Sequence, residues 1–259
     1  MPVLSDIGTD LALVAAGGAC WAISTFSAGG GSLLILAMVS LIVGGTAAAP
    51  VVALASLLAG PARAIALWSS IDWGVVCWYA PGAAVGALVG AWLLSRMSAP
   101  WVELMLAAFL ISTVWQFRLG ERTRSFQMRR HWFVPVSFCS GLVSGMVGAS
   151  GLLVNPFYLN HGLEKEVMLA TRAVNSTTIQ IVKIAAYLSL GMLSWPLARH
   201  GLAAGAGAIA AVAIATPWLA VLTRHRFRQL AVLAMFLGGL MMIWKQRDFL
   251  ARFVEAVHS

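Results

Sequence analysis

The chain has 259 residues, of which 60% are hydrophobic and only 10% charged, with a mean hydropathy of +0.87 and a formal net charge of +8. A soluble domain uses charge at roughly a quarter of its positions, so there is too little here to cover a water-facing surface, and membrane insertion follows. The positive balance does not imply a nucleic-acid partner: the basic residues gather at 118–130, 224–228 and 245–252, where connections and tails flank apolar runs.

Turns and charges divide the chain into about ten apolar segments. The first, 9–26, follows an acidic start without the basic region of a cleaved leader, so it is expected to stay as a membrane helix. It stops at Ala28-Gly29-Gly30-Gly31. A short piece, 32–43, ends at Gly44-Gly45, and the third segment, 48–68, is interrupted by Pro61 and Arg63. Asp72 precedes segment 73–94 at the place where a helix N-cap is expected. Segment 101–117 leads into a connection, 118–131, that carries Arg118, Arg122, Arg124, Arg129 and Arg130 and reads as cytoplasmic. The second series runs 132–147, 152–160, 166–190, 195–222 and 230–244, with Glu164 and Glu166 as acids at a helix start. Cys20, Cys77 and Cys139 lie singly in apolar stretches, without metal or redox spacing, and are expected to be buried as small hydrophobes.

The two series read as copies of one unit. Ser27-Ala28-Gly29-Gly30-Gly31-Ser32-Leu33-Leu34 aligns with Val147-Gly148-Ala149-Ser150-Gly151-Leu152-Leu153-Val154, and Ile71-Asp72-Trp73 with Leu193-Ser194-Trp195. An odd number of segments per half would insert the halves with opposite orientation, as inverted repeats. This divides the chain into a first repeat (1–117), the basic cytoplasmic loop (118–131) and a second repeat (132–259). Arg224, Arg226 and Arg228 then return to the cytoplasmic side, and both termini lie outside, where Lys245, Arg247 and Arg252 run against the charge rule. If either short piece is re-entrant, the count falls to about eight or nine spans.

Each glycine break frees backbone N–H groups and aims the start of a short helix at the gap. Helix N-termini hold anions without a full charge in lipid. The breaks supply Gly29, Gly30, Gly31 and Ser32, then Ser150 and Gly151, with Asn155 in the piece that follows. Close helix packing is the other use of such residues. A second signal is intramembrane charge. Arg172 follows Thr171 and opens a polar stretch in which Arg172, Asn175, Ser176 and Lys183 share an arc of about 100° on one helix face, which should be turned from lipid. Lys183 lies about 16 Å along the axis from Arg172, so the two act separately or along a path. Its long stem also suits snorkelling from near a helix end. Arg63, after Gly60-Pro61, is the first-half counterpart in kind. No buried carboxylate or histidine of the proton-coupling type is evident, which leaves the cavity positive and favours an anion. No HExxH, GxSxG or paired membrane aspartates suggest an enzyme.

These motifs resemble the TauE/SafE-type sulfite exporter family. The resemblance is carried by Gly29-Gly30-Gly31-Ser32-Leu33-Leu34, by Gly141-Leu142-Val143-Ser144-Gly145-Met146-Val147-Gly148-Ala149-Ser150-Gly151 with Pro156, by Leu169-Ala170-Thr171, by the Ile71-Asp72-Trp73 helix start, and by Gly82, Gly86 and Gly90 at spacing four. It implies a secondary transporter of the inner membrane for sulfite, organosulfonates or related sulfur anions. The chain departs from the family where Leu36 stands for a usual proline, Ala149-Ser150 for glycines, and Ala55-Ser56 for a segment with threonine. The resulting expectation is an all-α integral membrane protein: about ten segments (eight to ten) in two inverted repeats with short broken or re-entrant helices. It exports its anion by alternating access, with a channel or a small-carboxylate transporter as alternatives. Cargo contacts are expected from Gly29, Gly30, Gly31, Ser32, Arg63, Ser150, Gly151, Asn155, Thr171, Arg172, Asn175 and Lys183. No cofactor, metal or catalytic residue is expected. The partners are the small anionic substrate and the lipid bilayer, with a homodimer left open.

Overall fold

Lipid offers backbone N–H and C=O groups no partner, so an apolar chain must satisfy them within its own helices. In the computed structural model, which describes residues 2–26, 31–119, 128–149, 154–215 and positions 236, 240, 243, 244, 246, 247 and 249, no described residue lies in a strand. The helices are α1 (Pro2–Phe26), α2 (Gly31–Val43), α3 (Gly45–Ala59), α4 (Pro61–Ala66), α5 (Trp73–Arg96), α6 (Ala99–Leu119), α7 (Phe133–Val147), α8 (Asn155–His161), α9 (Lys165–Ser189) and α10 (Trp195–Ala215).

Local chemistry explains the boundaries. Pro61 has no N–H to continue α3 and is pre-set for a first helical turn, so it ends one helix and begins the next. Asp72 caps α5 as expected: its Oδ1 accepts from the Val75 N–H at 3.0 Å. The Asp72 N–H in turn donates to Thr171 Oγ1 at 3.0 Å, tying the α5 start to α9. Glu166 falls in the first turn of α9 and accepts from Ser70 Oγ at 3.3 Å. Asp72→Ala should lower stability by about 1 kcal/mol, the usual worth of a cap. Asp72→Asn keeps the cap and loses only the 3.6 Å pair with the half-exposed Arg130, so its melting temperature should stay near that of the parent.

Small residues set the packing. Cβ atoms added at Gly82, Gly86 and Gly90 on α5 would run into the backbone of α7, and those at Gly141 and Gly145 on α7 into the backbone of α5. The α1–α10 seam is built in the same way, with Gly17 against Ala204 and Gly207 against Val14. Backbones that approach so closely gain dispersion contacts where lipid provides no hydrophobic drive. Helix α3 lies enclosed between them, with Val51, Val52, Ala53 and Ala55 inaccessible. The contacts are reciprocal. α1 packs on α10 as α7 packs on α5, α3 packs on α10 as α9 packs on α5, and α3 and α9 meet each other. Each seam also carries an ionic contact: Arg130 with Asp72, and Arg199 with Asp10 at 2.9 Å.

The outer surface is apolar. Val85, Leu88, Ile181, Leu188 and Ile209 are exposed, while Trp73, Trp101, Trp132 and Trp195 stand exposed at helix starts, where aromatic belts form. Among the described residues only Trp73–Arg96 is long and apolar enough to qualify alone as a span; Ile7–Trp21, Leu34–Val43, Gly45–Ala59 and Ala99–Ser112 are shorter apolar helices. The cysteine expectation is corrected in part. Cys20 is buried, but Cys77 and Cys139 are exposed. α5 and α7 turn their glycine faces to each other, which sends both thiols outward.

Candidate functional site

Helix α9 is the element on which the polar residues converge. With about 100° per residue, Ile181, Ala185 and Leu188 fall together on an exposed side. The opposite side carries Asn175, Ile179, Gln180, Lys183 and Tyr187, all buried. Ser176 lies in the middle of that enclosed side and is exposed, while Arg172, one turn before it, is half-buried. Ser176 is thus open on a side of α9 that is otherwise mostly buried. The arc expected from sequence is therefore turned from lipid, but Ser176 is open instead of enclosed.

On the enclosed side of α9, Asn175 meets an aromatic and hydroxylic cluster. Tyr79 of α5 and Tyr158 of α8 stack with centroids 6.2 Å apart. Asn175 Nδ2 donates to Tyr158 Oη at 2.8 Å, and Tyr79 Oη donates to Ser140 Oγ at 3.3 Å. Arg172 lies one turn before Asn175 on the same helix. Four buried side-chain oxygens on α3, α8 and α9 have no hydrogen-bond partner among the described residues: Ser56 Oγ, Asn155 Oδ1, Asn175 Oδ1 and Gln180 Oε1.

Lys183 has a different task from Arg172. It is 0% exposed, so the snorkelling expectation is corrected: enclosure by α7 leaves its ammonium no route to water. Nζ donates to Gly148 O at 2.7 Å and to Ser144 Oγ at 3.2 Å. Tyr187 Oη donates to Gly145 O at 2.6 Å. A helix leaves its last carbonyls without intrahelical partners and carries partial negative charge there, so a cation and a hydroxyl are suited to the end of α7. Gly148 itself has φ 97 and presses on Ala49 of α3; a Cβ there would stand 2.8 Å from Ala49 Cα. Lys183 thus closes the C-terminal end of α7. Lys183→Met should cost about 1–3 kcal/mol by stranding the Gly148 carbonyl, read as a lower melting temperature.

The remaining candidates divide as follows. Thr171 is buried and engaged by the Asp72 N–H. Asn155 opens α8 and is buried. Gly31 and Ser32 open α2, and Arg63 lies in α4, directly after the break in α3; the side chains of Ser32 and Arg63 are outside the described set. Gly29, Gly30, Ser150 and Gly151 lie outside the described residues. The structure keeps Arg172, Asn175 and Lys183 on one helix, as expected, and adds Tyr79, Tyr158, Ser140 and Ser144 as partners. Single tyrosines and serines carry no spacing signal, so only tertiary contact identifies them. The expectation that buried acids and histidines are lacking is also corrected. Glu103 on α6 is 7% exposed and accepts from Gln246 Nε2 at 2.7 Å, and His200 Nδ1 lies 2.6 Å from Asp10 Oδ1. Their partners are far away in sequence, which hid both pairs. No group of three metal-type ligands occurs among the described residues.

A model of the family described as Sulfite exporter TauE/SafE matches residues 13–242. No curated protein and no solved structure matches the chain.

Proposed function

The chain belongs to the TauE/SafE sulfite exporter family of membrane transporters, and from that premise we propose that it exports a small sulfur-containing anion, sulfite or an organosulfonate, across the inner membrane by alternating access. The observation that carries this reading is the half-buried cation Arg172 beside the open Ser176 on an otherwise enclosed helix face. A guanidinium presents planar paired donors suited to the oxygens of a sulfonate or sulfite. The reciprocal contacts of the two halves support an inverted repeat, with 1–117 and 132–259 as the two units and 118–131 on the cytoplasmic side. In such a repeat the paired seams α1–α10 and α5–α7 would rock against each other around α3 and α9, and the two glycine breaks would meet near the membrane centre.

The test is a thermal-shift screen of purified protein against sulfite, sulfoacetate, taurine, thiosulfate and simple carboxylates, followed by flux measurements in proteoliposomes. Stabilisation by sulfur anions with saturable flux is the expected result. Stabilisation by carboxylates alone would transfer the reading to a carboxylate carrier. Non-saturating current would make the protein a channel.

A further inference from the structure

We propose that the turn before α7 binds the headgroup of one anionic phospholipid, held by the guanidiniums of Arg129 and Arg130 at the level of Trp73 and Trp132. The proposal concerns the lipid partner of the protein and is independent of its cargo. Arg129, Arg130, His131 and Trp132 are four consecutive exposed residues. Their backbone is pinned: the Met128 N–H donates to Asn160 O at 3.3 Å, His161 Nδ1 donates to Met128 O at 2.7 Å, and the Trp132 N–H donates to Arg129 O at 3.1 Å. Both arginines therefore leave from an ordered turn, and a binding surface that is already ordered loses less entropy when it is occupied. α5 and α7 run parallel, with Gly82 against Val134, Gly86 against Phe138 and Gly90 against Leu142, so their starts share one end of the bundle.

The helix beside the turn places Arg130. Its guanidinium lies over Gly74, where an added Cβ would stand 3.0 Å from Nη1, and its Nη2 is 3.6 Å from Asp72 Oδ2. Next to Gly74, the ring of Trp73 meets that of Trp68 edge-on at 5.1 Å. Trp68, Trp73 and Trp132 are all exposed, and amphipathic rings of this kind sit at headgroup depth. Of the acids at this end, Asp72 caps α5, Glu166 accepts from Ser70 Oγ, and Glu164 is exposed. Arg130 keeps 56% of its side chain open, and Arg129 makes no side-chain hydrogen bond or ion pair among the described residues. Two adjacent guanidiniums thus offer more donors than Asp72 can use. The non-ester oxygens of a phosphodiester accept in pairs and match that fork. Residues 118–131 hold five arginines against the single acid Glu121, which adds to the attraction for an anionic leaflet. The acyl chains have a place as well, since Trp78, Val85 and Leu88 stand exposed along α5. A free phosphate would leave that apolar surface unused, so the occupant is a lipid.

The experiment titrates the delipidated full chain with phosphatidylglycerol or phosphatidylcholine of identical acyl chains, reading bound lipid by native mass spectrometry and melting temperature in parallel. Wild type should retain one phosphatidylglycerol in preference to phosphatidylcholine and melt higher with it. Arg129→Gln and Arg130→Gln should each lower that preference about fivefold, the worth of one arginine at an anionic lipid surface, and the double variant about 25-fold. The melting temperature in phosphatidylcholine reads folding by itself, and Arg129→Gln should leave it unchanged. Arg122→Gln, in the same basic connection, separates a site from diffuse attraction and should keep the preference. Equal retention of the two lipids by wild type, a preference that survives in the double variant, or an equal loss in Arg122→Gln would overturn the proposal. Equal stabilisation by sn-glycerol 3-phosphate would also overturn it, since the site would then take a soluble phosphate and not a lipid.

Discussion

Replacing Arg172 with alanine should abolish transport while the protein still inserts and purifies as a single species. Arg172 is half-buried and stands one turn from the open Ser176 on the otherwise enclosed side of α9. A cation at membrane depth costs roughly 2.5–3.5 kcal/mol on insertion scales, so it persists where it has a partner or a task. Losing a charged, paired contact to an anion is worth about 1.5–3 kcal/mol, or about 10- to 150-fold in affinity. Arg172→Lys keeps the charge and loses the planar fork, so it should fall between the two. Should Arg172 only steady the packing of α9 against α5 and α8, the alanine variant would melt earlier and bind its anion with unchanged affinity. Affinity and melting temperature measured on the same preparation separate these cases.

Gly86→Leu should give no monodisperse protein at all. A Cβ at Gly86 would collide with the Phe138 carbonyl of α7 and stand 2.9 Å from Leu142 N, and these are backbone atoms that cannot turn aside. Gly82, Gly90, Gly141 and Gly145 make the same kind of contact along the seam, so forcing one point apart opens its neighbours as well. Overpacking a formed core costs about 1–3 kcal/mol, and more where backbones touch. Gly8→Ala is the control: no atom lies within 4 Å of its added Cβ, so the variant should be tolerated, with a small gain from helix propensity. Size-exclusion profiles of the two variants after detergent extraction provide the measurement. A well-behaved Gly86→Leu protein would mean that α5 and α7 do not approach as closely as described.

How much was legible in sequence depended on whether the cause was local. The Asp72 cap, the Pro61 interruption and the ends of α2, α7 and α10's start at Trp195 come from chemistry within a few residues of each boundary, and the chain order reveals them. The early start of α1 at Pro2 was not legible, because the polar residues before Thr9 broke the apolar run without breaking the helix. Arg172 was visible because a cation in an apolar run is conspicuous by itself. Lys183 was equally visible, but its role was not. Whether a long amine reaches water or the end of α7 depends on where another helix stops.

Composition by itself determined that this chain lives in lipid, because 10% charged residues cannot cover a soluble surface. The glycine and tryptophan pattern likewise determined the family resemblance, since those residues act through backbone geometry and interface depth, which spacing records. Tertiary structure alone decided which polar atoms are satisfied. Tyr158 takes the Asn175 amide from another helix, Gly148 takes the Lys183 ammonium, and Gln180 Oε1 is left without a partner among the described residues. A hydrogen bond forms over about 3 Å in space regardless of separation along the chain, so a linear pattern can nominate polar residues but cannot say which of them are already occupied.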